Sequence, residues 1–337
     1  MKGFERTPPE LRWILRRRID RLGLKLEGSP VERFVLQLQR ELRRKGITRF
    51  QAVCYLTDEW GCPDREPIIG IPFYLANPKL AILEKKMNDL EDSRKIMKYL
   101  RHEAGHAFNY AYRLFTTPRW RQLFGPFRRP YREDYRPLPF SRRYVRHLEG
   151  WYAQKHPDED FSETFAVWLT PTSRWRQRYR GWPAMRKLLY VDGVVRRLGT
   201  RPPLVDQGRT DVTVSEMRET VRDFYRRMAR QNRAKVKLAL EGDLSDIFPR
   251  RGAASDGLVP AARILQPRRA EIIDKIATWT GVRPEMVRAL METILRHCRE
   301  KKLMAVRRRE DTYLVELTAY ATALAMNYLE RGRFVLK

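Results

Sequence analysis

Apolar residues recur at steps of three and four between residues 93 and 114, which is the spacing of one face of an α-helix. Neither proline nor glycine interrupts the chain from Ser93 to Ala104. The residues of the apolar face are Ile96, Leu100, Ala104, Ala107, Ala111 and Leu114. The pattern predicts a long helix that is largely buried.

A second apolar face follows Pro157, a residue type that suits the first turn of a helix. Three acids come directly after the proline, where they favour the positive end of the helix dipole. The acids are Asp158, Glu159 and Asp160, and the apolar residues behind them are Phe161, Phe165, Trp168 and Leu169. This segment is predicted to be a second helix.

Two segments upstream of these helices have the composition of strands. They are residues 51–56 and 67–74, and the turn-rich residues 61–64 separate them. We expect an antiparallel edge strand here, beside the first helix, which would bind an extended peptide by strand addition.

The organisation of the chain changes near residue 200, where Arg201-Pro202-Pro203 marks a break. The glycine-containing segment 251–257 is predicted to be a linker, and helices are predicted at 214–240, 270–278, 284–298 and 310–329. The predicted domains are 1–200, a helical extension and linker at 201–262, and a basic helical module at 263–337.

The first predicted helix carries the sequence His102-Glu103-Ala104-Gly105-His106. Residues four apart lie on the same helix face, so both imidazoles can bind one zinc ion. Glu103 then lies beside the metal, where it can act as general base on a zinc-activated water. Gly105 is a poor helix former, which indicates that a neighbouring group packs closely there.

A catalytic zinc ion needs a third protein ligand, and the second predicted helix can supply it. Glu159 and Glu163 are one turn apart and can both project toward the same site, and Asp160 is a further candidate. The alternatives are that the histidines are core residues with satisfied hydrogen bonds, and that the acids only begin a helix.

These two segments resemble the gluzincin metallopeptidases, and more narrowly the bacterial families called putative zinc-binding metallopeptidases. The resemblance covers 99–107 and 156–166 closely and 45–195 loosely. It implies an α+β, zincin-like domain with a small mixed or antiparallel sheet, followed here by an all-α C-terminal extension. It also implies Zn²⁺ as cofactor.

The resemblance further implies a role for each matching residue. It makes His102, His106 and Glu159 the zinc ligands and Glu103 the general base, and peptide-bond hydrolysis the reaction. Glu163 would hold a ligand imidazole in the correct tautomer. A tyrosine seven residues before the ligand glutamate stabilises the oxyanion in the relatives, and that position is Tyr152 here.

Composition limits the remaining choices. The 337 residues include 42% hydrophobic residues, which is enough for a core, and three cysteines that form no Cys-x-x-Cys pair. We expect no signal peptide, and the longest apolar stretch, 319–329, is too short to span a bilayer. A cytoplasmic location is therefore expected, whereas the oligomeric state is unknown from the sequence.

The formal net charge of +28 is the second large feature of the chain. Residues 113–146, which connect the two predicted helices, contain ten arginines and no lysine, with aromatic residues between them. Such a segment can bind an acidic peptide or protein substrate, or a polynucleotide; it can also be a solvated connector.

Three functional classes follow from these patterns. The first is a zinc metallopeptidase. The second is a basic nucleic-acid-associated binding protein that uses a zincin fold as a scaffold, and the third is a zinc hydrolase of a non-peptide amide.

Overall fold

The structure is a computed structural model, and it describes residues 9–88, 91–132, 135, 137–234, 243–248, 257–331 and 334. The chain divides into two compact units. Unit 1 contains residues up to Leu148 and Tyr152–Arg226, whereas unit 2 contains Glu149–Trp151 and Arg227–Lys337. This division falls after Arg226, and the predicted domain boundaries at residues 200 and 262 stay predictions.

Unit 1 contains both predicted helices. Its helices are α1 Pro9–Leu15, α2 Glu32–Arg44, α3 Pro78–Asn88, α4 Ser93–Ala111, α5 Pro118–Phe124, α6 Pro157–Leu169, α7 Trp175–Arg178 and α8 Met185–Leu198, and α9 Val221–Ala234 begins in it. Its strands are β1 Val53–Thr57 and β2 Ile68–Pro72. With the helices of unit 2, this architecture confirms the predicted α+β class with a helical C-terminal region.

Local signals fix the start of the two central helices. The side chain of Asp92 caps α4 by accepting a hydrogen bond from the Lys95 amide at 2.8 Å. His156 caps α6, with Pro157 in the first turn as predicted, and all residues of α6 are buried. A helix buried on every side must be enclosed by other elements, and α4 is its main neighbour.

The close contact between α4 and α6 depends on Gly105. A Cβ atom at this position would lie 2.7 Å from the Cα atom of Ser162. The close packing that the sequence predicted at Gly105 is therefore confirmed, and it brings the histidine face of α4 against the first turns of α6.

The strands differ from the expectation in their direction. β1 and β2 pair in parallel, with Tyr55 opposite Gly70, so this pair does not form the antiparallel edge strand that the sequence led us to expect. Residues 58–67 connect the strands and return the chain to the same end of the pair, which a two-residue hairpin cannot do. An isolated antiparallel bridge between Gly61 and Gly70 lies beside this pair.

Unit 2 is built mainly from three long helices around its own hydrophobic core. Its elements are α10 Asp243–Ile247, β3 Leu258–Pro260, α11 Ala261–Thr280, α12 Pro284–Glu300, β4 Met304–Val306 and α13 Glu310–Arg331, and β3 pairs antiparallel with β4. None of the described helices is long and apolar enough to cross a membrane.

Two of the predicted helices have different bounds. α11 starts nine residues before the predicted residue 270 and continues through Pro267, because the turns on both sides of the proline bury apolar side chains such as Leu265 and Ile272. α9 starts at Val221 instead of 214, because the preceding backbone pairs with the N-terminal segment: the backbone amide of Asp20 donates to the Met217 carbonyl at 3.0 Å. Residues 235–240 and most of the predicted linker 251–257 lie outside the described residues.

Candidate metal centre

Three side-chain atoms converge where α4 meets α6. The Nε2 atom of His102 lies 2.9 Å from Oε2 of Glu159 and 3.1 Å from Nε2 of His106. The Nε2 atom of His106 lies 3.2 Å from the same Glu159 oxygen. Within the described part of the chain, this is the group of histidine, cysteine and acidic side chains that could hold a metal ion.

The spacing of these atoms fits a tetrahedral zinc site. With zinc bonds of about 2.0–2.1 Å, tetrahedral ligand atoms lie about 3.3–3.4 Å apart. The observed separations are slightly shorter than this value. The donor set of two imidazoles and one carboxylate is also one that zinc accepts in hydrolases.

The charge of the surrounding residues also suits a cation. Four carboxyl groups with at most 7% exposure surround the two imidazoles; they belong to Glu103, Asp158, Glu159 and Glu163. Buried carboxylates are stable only when they are paired, hydrogen-bonded or bound to a metal. A divalent cation among them would offset much of this negative charge.

Each imidazole has its other nitrogen on a second carboxylate. Nδ1 of His102 lies 2.8 Å from Oε1 of Glu163, and Nδ1 of His106 lies 2.7 Å from Oδ2 of Asp158. Such a contact favours the tautomer with the proton on Nδ1, which leaves the lone pair of Nε2 available to bind a metal. Both Nε2 atoms are therefore oriented toward Glu159.

The two outer carboxylates are themselves held firmly. Glu163 accepts hydrogen bonds from the backbone amides of His147 and Leu148 at 3.2 and 2.9 Å. Asp158 accepts from Asn109 at 2.7 Å and from the Tyr110 hydroxyl at 2.5 Å. Their positions are thus determined by α4 and by the chain before α6.

The electrostatics of the centre favour positive charge. Burial lowers the pKa of His102, but hydrogen bonds to Glu159 and Glu163 outweigh it and raise the pKa to about 9. Burial raises the pKa of Glu159, but the charge of His106 and the hydrogen bond from His102 outweigh it and hold this pKa well below its usual value. The carboxylates that raise the pKa of His102 would also stabilise a metal cation between the two imidazoles.

Glu103 and Tyr152 lie beside the three donor atoms. Glu103 is buried on the same helix, and burial is the main cause of its raised pKa. The ring of Tyr152 lies 5.5 Å from the ring of His102 and makes an edge contact with it. The structure therefore brings together all six residues that the sequence analysis selected.

Residues 76–176 match the sequence model of a family described as "Putative zinc-binding metallo-peptidase". For these residues, the resemblance to the putative zinc-binding metallopeptidases that was inferred from the sequence is confirmed. The matched segment contains α4, α6 and the connecting residues, and thus every donor atom of the centre. No curated protein and no solved structure matches the chain.

Two residues around the three donor atoms were not selected from the sequence. Asp158 had been considered only as an acid at a helix start, although it orients His106. A signal was available, because Asn109 and Tyr110 follow His106 by three and four residues and form a polar face on a buried helix. Such a face needs a buried acceptor.

Tyr131 is the second residue that was missed. Its hydroxyl donates a hydrogen bond to Oε1 of Glu159 and lies 3.3 Å from the hydroxyl of Tyr152. It belongs to the arginine-rich connector, where it is one of several aromatic residues, and no local pattern distinguishes it from the others.

The candidate Asp160 and the nearby His156 lie away from the donor atoms. Asp160 pairs with Nζ of Lys187 at 2.5 Å, and burial is the main cause of the rise of its pKa to about 7. His156 accepts from the Asp158 amide through Nδ1, and its Nε2 donates to the Arg129 carbonyl at 2.8 Å. Asp160 and His156 therefore have structural partners of their own.

Proposed function

We propose that this protein is a zinc-dependent metallopeptidase in which His102, His106 and Glu159 bind the zinc ion. The observation that carries the proposal is the convergence of two Nε2 atoms and one carboxylate oxygen within 3.2 Å of one another. The family match supports the zinc-binding character of the same segment. The narrower assignment to the gluzincins rests on Glu159, which comes from a helix later in the chain.

Glu159 is preferred to Glu163 as the third ligand because of their contacts. Oε2 of Glu159 faces both Nε2 atoms, whereas both oxygens of Glu163 already have partners on His102 and on the backbone. Glu163 is assigned the task of orienting His102, and Asp158 does the same for His106.

When bound, zinc would supply Lewis-acid chemistry, activating a water molecule and polarising the peptide carbonyl. Glu103 takes the proton of the attacking water and transfers it to the leaving amine. Its burial suits this task, because a raised pKa brings a carboxyl group closer to the working pH.

Tyr152 is assigned the stabilisation of the oxyanion. Its ring packs against the ring of His102, and burial keeps the pKa of its hydroxyl well above the usual value, so the hydroxyl stays protonated and able to donate at neutral pH. A donor placed where negative charge develops contributes a few kcal/mol, roughly 3, in the transition state.

The substrate is proposed to be an acidic peptide or protein. The connector is attached to the metal centre through Tyr131, and the neighbouring Arg128, Arg129 and Arg132 are exposed to solvent. Together with the net charge of +28, they provide positive potential next to the centre. We expect acidic peptides to be cleaved with higher kcat/KM than basic ones, and the preference to weaken at high salt.

The test is hydrolysis of a peptide library by the zinc-loaded protein, with Glu103→Gln and Glu27→Gln compared in parallel. Glu27 is exposed, so it provides the same chemical change away from the centre. Glu103→Gln should lower kcat by at least about 100-fold with zinc still bound, whereas Glu27→Gln should be normal.

Other outcomes would count against the proposal. Hydrolysis of non-peptide amides alone would move the assignment to another class of zinc hydrolase. Salt-sensitive binding of DNA or RNA by a zinc-loaded protein that hydrolyses no amide would favour the binding-protein alternative, which stays a prediction from the sequence.

A further inference from the structure

The third ligand candidate has two carboxylate oxygens in different environments. Oε2 of Glu159 faces the imidazoles, whereas Oε1 accepts the hydrogen bond from the Tyr131 hydroxyl. Glu159 is 4% exposed, so solvent contributes little to either oxygen. Tyr131 is therefore a main determinant of the orientation of this carboxylate.

Several contacts hold the Tyr131 ring in this position. The ring lies 5.3 Å from the ring of His156, and the Lys155 ammonium lies 4.2 Å from its centroid. His156 also binds the carbonyl of Arg129, two residues before Tyr131. The hydroxyl is thus positioned by residues that are fixed to the start of α6.

A carboxylate can bind zinc through one oxygen or through both. If Oε1 had no other partner, it could approach the metal as well and fill the coordination position that a catalytic zinc ion keeps open. A hydrogen bond from a phenol lowers this tendency, because it gives the outer oxygen a strong alternative partner.

We propose that Tyr131 is a positioning residue that keeps Glu159 a one-oxygen ligand. The inference rests on the proposed zinc site and adds a residue from the connector to it. The arginine-rich connector, residues 113–146, would then have two roles. It would attract the substrate, and it would keep one coordination position of the metal open.

The experiment compares the wild-type protein, Tyr131→Phe and Tyr144→Phe after replacement of zinc by Co²⁺. Tyr144 lies in the same connector, and its ring contacts the Lys187 ammonium at 4.3 Å, away from the three donor atoms. Visible absorption reports the coordination of Co²⁺, and competition with a chelator gives the zinc affinity. Circular dichroism of the metal-free proteins checks that all three are folded.

The proposal predicts a strong four-coordinate Co²⁺ spectrum for the wild type and for Tyr144→Phe. Tyr131→Phe should give a weaker absorption typical of a higher coordination number, and a zinc affinity that is lower by about tenfold or more. Identical spectra and affinities for Tyr131→Phe and the wild type would overturn the role of Tyr131 and leave the metallopeptidase proposal intact. A folded wild-type protein that binds neither metal would overturn both.

Discussion

Each imidazole of the centre contacts two carboxylates, one that both imidazoles share and one that contacts only that imidazole. Glu159 faces both Nε2 atoms, while Glu163 and Asp158 each bind one Nδ1 atom. The position of each acid on the first turns of α6 therefore determines which imidazole nitrogen it contacts. These contacts also explain why Asp158, Glu159 and Glu163 are all buried.

Replacement of Asp158 by Asn should weaken zinc binding by about tenfold or more. An amide cannot offer the same charged acceptor to His106, and it leaves Asn109 and Tyr110 with a poorer partner. The measurement is a chelator competition. Asp246→Asn, at an exposed position in unit 2, is the matched control, and equal affinities for the two variants would contradict the role given to Asp158.

Spacing placed the candidate residues of the regular helices on common faces, and the family resemblance implied the role of each. His102, Glu103 and His106 follow from the helix period, and Glu159 and Glu163 follow from the same period in the second helix. Tyr131 could not be predicted, because its contact with Glu159 depends on the path of an irregular connector. Asp158 could have been predicted by asking which acid of the second helix accepts the hydrogen bonds of Asn109 and Tyr110.

At the scale of elements, the centre depends on how closely α4 approaches α6. The helices themselves were predictable from local patterns, and so was the close approach at Gly105. The direction of the β1–β2 pair was not, because pairing direction depends on the route of residues 58–67 and this route is not a periodic signal. The start of α9 likewise depends on pairing with residues far away in the sequence.

Replacement of Gly105 by Ala should destabilise unit 1 by about 2–3 kcal/mol and lower zinc affinity. The new Cβ atom would lie 2.7 Å from backbone of Ser162, so one helix must move. Gly193→Ala is the control, because its Cβ atom would meet only a side-chain nitrogen of Arg197 at 3.9 Å in α8. Alanine there should stabilise the protein by up to about 1 kcal/mol.

Urea denaturation measures both changes. If Gly105→Ala were as stable as the wild type and bound zinc normally, the close packing would not be what positions the histidines.

His147, in the segment before α6, makes the folded state sensitive to acid. Burial lowers the pKa of His147 to about 4, and its Nε2 donates to the Lys98 carbonyl at 2.9 Å. The unfolded chain takes up this proton near pH 6.5, so the folded state loses stability as the pH falls from about 6.5 to about 4. The contribution is fully present above this range.

The variant His147→Gln keeps a hydrogen-bond donor for the Lys98 carbonyl and removes the titratable imidazole. Its free energy of unfolding, measured on metal-free protein, should fall less steeply between about pH 6.5 and 4, by at most about 3 kcal/mol in total. Parallel pH profiles for the variant and the wild type would show that His147 is not the source of the acid sensitivity.

At the scale of the whole molecule, the proposed zinc site belongs to one unit, and the second unit has its own core. A ligand that binds only the folded state stabilises the unit that holds it, by about 4 kcal/mol when its free concentration is 1,000 times Kd. Unit 2 contains none of the three donor residues.

Removal of zinc with a chelator should therefore lower the thermal transition of unit 1, by roughly 10 °C for a unit of this size. Calorimetry of the full chain should show a second transition that does not move. His106→Ala should show the lowered transition without chelator. Equal shifts of all transitions, or none, would contradict a metal site confined to unit 1.

The most direct test of the account is the zinc content of the purified chain, measured by mass spectrometry for wild type, His106→Ala, Glu159→Ala and Glu163→Ala. We expect one zinc ion per wild-type chain, loss of zinc in His106→Ala and Glu159→Ala, and weaker but detectable binding in Glu163→Ala. Loss in Glu163→Ala with retention in Glu159→Ala would reverse the ligand assignment. A folded wild-type chain that holds no zinc even after addition of the metal would contradict the proposed function itself.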